Sequence, residues 1–142
     1  MINELLKLTI LVFIAGCFNG QEDSYVWSYD KNVWRVILKG KFLRWYEGEY
    51  EQEVAKHLWI LPIFRDGWHF FKNSCVGLLL FAIVYAVGNA SVLYPMMGHP
   101  IWLAVFFFDL AMVWMFGKEL NHKYLSKTDF WKLPDPPHKE LT

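Results

Sequence analysis

The chain has 142 residues with 14 basic and 14 acidic side chains, so it has room for one domain and no net charge to draw it to nucleic acid. Hydrophobic residues make up 55% and aromatics 19%, and they come in blocks rather than in alternation, which argues against an ordinary soluble domain. The two cysteines, Cys17 and Cys75, stand apart in apolar runs and form neither a disulfide framework nor a CxxC pair.

The first block, Leu8 to Phe18, has the length of a signal-peptide core, and Ile14-Ala-Gly-Cys17 resembles a bacterial lipobox in which Cys17 would be acylated. Against export, Glu4 offsets Lys7 just upstream. Residues 1–20 are therefore expected to form an uncleaved apolar anchor helix. Its apolar core covers only about 16 Å as helix, too little to span a bilayer alone, so it should insert obliquely or pack on other helices.

Residues 21–65 read as an interfacial amphipathic region. Trp34, Ile37, Leu38, Phe42 and Trp45 recur on one helical face, while Lys31, Arg35, Lys39, Lys41 and Arg44 add five positive charges with no acid among them. A basic, tryptophan-bearing helix of this kind suits an anionic membrane surface. The competing reading is an ordinary helix or a hairpin turning at Gly40. Around Gly48 the sign reverses: Glu47, Glu49, Glu51 and Glu53 cluster, and Tyr50, Val54, His57 or Leu58, and Leu61 mark a second helical face ended by Pro62.

Residues 66–127 carry the strongest signal. Cys75 to Leu93 and Pro100 to Gly117 are two apolar runs, each close to the ~20 residues that cross a bilayer. Asp66 suits an N-cap and Pro100 a first helical turn. Trp68, Tyr94, Trp102 and Trp114 fall near the expected interfaces. The link Tyr94-Pro-Met-Met-Gly-His-Pro100 is short and uncharged, so the runs are expected to be antiparallel neighbours. Arg65 and Lys72 precede the first span, and Lys118, Lys123, Lys127 and Lys132 follow the second, which puts both flanks on the cytoplasmic side. Residues 128–142 read as a proline-rich extended tail.

Between Lys72 and Lys118 the one formal charge is Asp109. A carboxyl at that depth must be neutral, paired or facing something polar. A hairpin symmetric about residues 96–97 puts Asp109 level with Tyr85, which shares a helix face with Ala82 and Asn89, so a Tyr85–Asp109 hydrogen bond is expected. Ala82, Ala86 and Ala90 form a ladder of small residues suited to close helix packing. Asp66-x-x-His69 and Glu119-x-x-His122 are weak metal candidates, since di-iron bundles use such pairs but need further carboxylates. The GxSxG, P-loop, GxGxxG and HExxH patterns are absent, and no catalytic residue or cofactor is predicted.

The expected fold is all-α: an integral membrane hairpin of two transmembrane helices, with an N-terminal anchor helix and interfacial amphipathic helices. The expected function is that of a structural or accessory subunit of a membrane assembly, with the bilayer, other membrane subunits or further copies of itself as partners. Two alternatives are an oligomeric pore or proton-coupled component using Asp109, and a metal-dependent membrane enzyme.

Overall fold

The computed structural model describes residues 1–27, 31–49 and 65–136, with the side chains of residues 95–97 excepted. The described chain is helical: α1 (Ile2–Trp27), α2 (Trp34–Ile37), α3 (Gly40–Tyr46), α4 (Gly67–Gly88), α5 (Ala90–Met97), α6 (Pro100–Leu120), which runs on as a π-helical turn (Asn121–Leu125), and α7 (Thr128–Trp131). One isolated antiparallel bridge joins Asn32 to Lys127. Among the described residues three helices are long and apolar enough to cross a membrane: Ile2–Trp27, Gly67–Gly88 and Pro100–Leu125.

The first of these corrects the expectation of a short anchor. Helix α1 continues through Asn19, Gly20 and Gln21 to Trp27, which makes it 26 residues and about 39 Å long. It is also the central element. Both α4 and α6 pack along α1, whereas α4 and α6 scarcely touch each other. The two sequence-predicted spans are thus not side-by-side neighbours; α1 lies between them. Gly16 lies against Trp114 and Gly20 against Lys118, so α1 and α6 run in parallel. Phe18 meets Phe70 and Phe71 while Glu4 meets Tyr85, so α1 and α4 run in opposite directions.

The α1–α6 contact depends on missing side chains. A Cβ on Gly16 would sit 2.2 Å from the Trp114 carbonyl oxygen, and one on Gly20 would sit 2.3 Å from that of Lys118. From the other side, a Cβ on Gly117 would sit 2.5 Å from the Phe13 carbonyl oxygen. Gly16-x-x-x-Gly20 is a small-xxx-small motif that lets two helix backbones touch, the means of association open to helices in lipid. The alanine ladder contributes less. Ala82 is buried with Leu8, Val12 and Phe106, and Ala86 packs beside that cluster. Ala90 is exposed and belongs to α5.

Capping follows local chemistry. The Asp66 carboxylate accepts the His69 backbone N–H at 2.8 Å at the start of α4. Pro100 opens α6, and His99 Nδ1 accepts the Ile101 N–H at 3.2 Å. The first apolar run does not continue to Leu93 as one helix. Gly88 is a weak helix former, and the Asn89 side chain donates to the Tyr85 carbonyl at 2.8 Å, so α4 stops and α5 restarts at Ala90. Tyr94 to Met97, expected as loop, is the end of α5.

The basic region is not one amphipathic helix. Backbone at Leu38 and Lys39 is extended and Gly40 has φ +55°, a conformation open to glycine, so α2 and α3 are separate short pieces. The acidic face beginning at Tyr50 lies outside the described residues. The tail is docked as far as Pro136, which is buried; the Leu133 N–H reaches the Thr128 carbonyl at 3.0 Å, and the Thr128 hydroxyl lies 3.3 Å from Asp135.

Candidate functional site

Two polar features stand out against this apolar frame: a cap at one end of the bundle and a carboxyl on its flank. The cap centres on Asn32, which is buried. Its Oδ1 accepts the Trp34 N–H at 2.9 Å and the Tyr46 hydroxyl at 3.1 Å, and its amide donates to Ser24 at 3.4 Å. The Val33 N–H donates to the Ser126 carbonyl at 2.8 Å. The end of α1, the α2–α3 segment and the chain after α6 are thereby tied together. The Asn32-Val-Trp34 turn is a side-chain-to-backbone motif that asparagine forms readily, and it was the available signal for this hub. Phe70 and Phe71 of α4 close the apolar side of the cap against Phe18, Trp34, Trp45 and Tyr46.

The cap also reassigns the basic residues. Arg35 and Glu47 form an ion pair of 3.0 Å with side chains 4% and 6% exposed, so Arg35 is part of the interior and not of a membrane-facing surface. Arg44 pairs with Glu49 at 2.6 Å and Lys31 with Asp129 at 2.7 Å, both in the open. The hydrogen bond and charge of Asp129 hold the Lys31 ammonium above the usual lysine range. That exposed pair therefore contributes at neutral pH and fades as pH rises through the raised value; salt screens it. Lys39 and Lys41 are exposed, as are Ile37 and Phe42. Trp34 and Trp45 are half-buried in the aromatic cluster.

The flank differs from the expected arrangement. The Tyr85 hydroxyl donates to Glu4 of α1, not to Asp109, and Glu4 also holds Lys7 at 3.4 Å. Insertion of α1 between the two predicted spans is the reason: Tyr85 faces α1. Asp109 is exposed on the outer side of α6 and makes no hydrogen bond or ion pair with any described residue. It lies nine residues, about 13 Å of helix, from both Pro100 and Lys118. The residues around the bundle at this depth are apolar and exposed, including Leu80, Ile83 and Val84 on α4 and Phe108, Met112 and Phe116 on α6. Such a belt suits hydrocarbon, where a lone carboxylate costs about 3 kcal/mol even on the lower scales.

Between α4 and α6 lies a groove of about 510 Å³, floored by Leu8 and Val12 and walled by residues including Leu79, Ala82, Phe107 and Leu110. Asp109 is two residues from both Phe107 and Ala111, which line the groove, and so points away from it.

The metal candidates serve the helix ends. The His69 ring Nδ1 lies 2.7 Å from its own cap, Asp66, and Glu119 pairs with Lys123 at 2.6 Å. No three His, Cys, Asp or Glu side chains gather as a metal site among the described residues. Cys17 is half-buried in the unbroken α1, its backbone N–H side facing Gly117, and Cys75 is buried in α4.

No protein-family model matches the chain, and comparison with curated proteins and with solved structures finds no similar one.

Proposed function

We propose that the protein is a three-span integral membrane protein that serves as a structural, accessory subunit of a membrane assembly. The observation that carries this reading is Asp109: a carboxyl at mid-span, turned outward from its own bundle and unpartnered among the described residues. In lipid such a group is satisfied by another helix. The exposed apolar belt supports a bilayer as the surrounding solvent. The cap supports a fixed architecture, with Lys39 and Lys41 exposed beside Ile37 and Phe42 where an anionic surface can be met.

The pore alternative needs a polar route, and the groove between α4 and α6 is lined by apolar side chains. The metal-enzyme alternative needs ligands beyond Asp66, His69, Glu119 and His122. Neither gains a supporting observation.

The test is fractionation followed by sizing. The chain should stay with membranes through an alkaline carbonate wash. In gentle detergent it should migrate in a complex larger than its own 16.9 kDa plus micelle. Release by carbonate overturns the membrane reading, and a monomer in every mild detergent and in native membranes overturns the assembly reading.

A further inference from the structure

We infer that the outer face of α6 is a self-association seam, on which two copies of this chain pair in parallel with their Asp109 carboxyl groups hydrogen-bonded to one another. The inference deepens the assembly reading and rests on α6 crossing a bilayer. Trp102, Val105, Asp109, Met112 and Phe116 follow one another at intervals of three, four, three and four residues, the spacing of a seam between two supercoiled helices. All five are exposed in the single chain. The seam covers about 21 Å of helix, most of the hydrocarbon thickness, and Asp109 is its middle member.

The occupant follows from what the chain contains. No lysine or arginine lies between Lys72 and Lys118, and Lys7 of α1 is engaged by Glu4. Among the described residues no free cation lies at this depth. A second copy inserted the same way brings one polar group to the same depth without fail, its own Asp109. Two-fold symmetry about the membrane normal sets those groups face to face, because a residue on the axis meets itself. Two carboxyls that each carry a proton donate to and accept from one another, so the pair is neutral and needs no counter-ion. A single polar residue in an otherwise apolar seam also fixes register, since a shifted pairing leaves both carboxyls in hydrocarbon. The groove between α4 and α6 lies on the other side of α6 and stays free.

The test uses the full chain in membranes, with Cys17 and Cys75 changed to serine. Val105→Cys and Met112→Cys, made separately with Asp109 intact, should cross-link copy to copy under mild oxidation, while Phe108→Cys, off the seam, should not. Resonance energy transfer between labelled copies in phosphatidylcholine vesicles should show Asp109→Asn retaining association, because an amide also donates and accepts. Asp109→Leu should weaken it about tenfold. Equal cross-linking from all three positions, or none from the seam, overturns the proposal, and so does a dimer indifferent to Asp109→Leu. Should Asp109→Leu not fold, the cross-linking pattern decides. A carbonate-resistant chain that is monomeric, or held through Asp109 to a different protein, defeats the self-pairing while leaving the membrane reading in place; a carbonate-released chain defeats both.

Discussion

At the scale of single residues, glycines and one ion pair set the tolerances. Gly16, Gly20 and Gly117 meet backbone atoms of the opposite helix, and backbone cannot swing aside as a flexible side chain can. Gly16→Ala and Gly20→Ala should each destabilise the fold by about 1–3 kcal/mol, measured as the shift in denaturant-induced unfolding in mixed micelles. Gly77→Ala, where a Cβ meets open space, should be neutral or slightly stabilising in the same assay. The Arg35–Glu47 pair is buried on both sides, so removing one partner strands a charge. Arg35→Ala should cost about 3–5 kcal/mol, whereas replacing both partners together with apolar residues of similar size should cost far less. Equal losses for the single and double replacements would show that the arginine acts through contacts other than Glu47. Neither feature was legible in the one-dimensional pattern. Gly16-x-x-x-Gly20 is visible as a string, but its reading depends on which helix faces it, and Arg35 looks like any of its four basic neighbours until Glu47 folds over it.

At the scale of elements, the spans and their caps were readable because their causes are local. Apolar length marks α4 and α6, Asp66 caps one and Pro100 opens the other. Helix α1 was half legible: its apolar core was plain, but Asn19 to Asp23 looked like its end. Those polar residues continue as helix because partners wait along it: Lys118 reaches Asp23 at 2.9 Å, and Asn19 donates to Glu22 at 3.3 Å. The Tyr85–Asp109 expectation failed at this same scale, since symmetry of a two-helix hairpin cannot anticipate a third helix inside it. Tyr85→Phe is therefore expected to loosen the α1–α4 contact and to leave Asp109-dependent association unchanged. Cysteine reactivity of Leu5→Cys, compared with and without Tyr85→Phe, measures the first; vesicle energy transfer measures the second. The basic segment shows the converse. Its periodicity is real, yet Gly40 and the extended Leu38–Lys39 backbone divide it, and packing on Phe70 and Phe71 takes up the tryptophans that periodicity assigned to a membrane surface.

At the scale of the whole molecule, the helix directions place the Ile2 end of α1 on one side with His99, and the polar cap on the other with Lys118 to Lys132. The concentration of lysine and arginine in the second group proposes that side as cytoplasmic. His99→Cys should react with a membrane-impermeant maleimide from the outside of intact cells and Lys127→Cys only after permeabilisation; the reverse pattern would invert the orientation. What the chain determined by itself is what short-range chemistry encodes: helix from apolar periodicity and caps, lipid as the fitting solvent from unbroken hydrophobic length, and one costly carboxyl at the centre of a span. What tertiary structure decided is which faces are inside. Helices that sit in lipid would gain no hydrophobic energy by choosing one apolar face over another, and the close approach here falls where backbones touch, at Gly16, Gly20 and Gly117. That contact drew α1 into the centre, gave Tyr85 to Glu4, and left Asp109 facing outward.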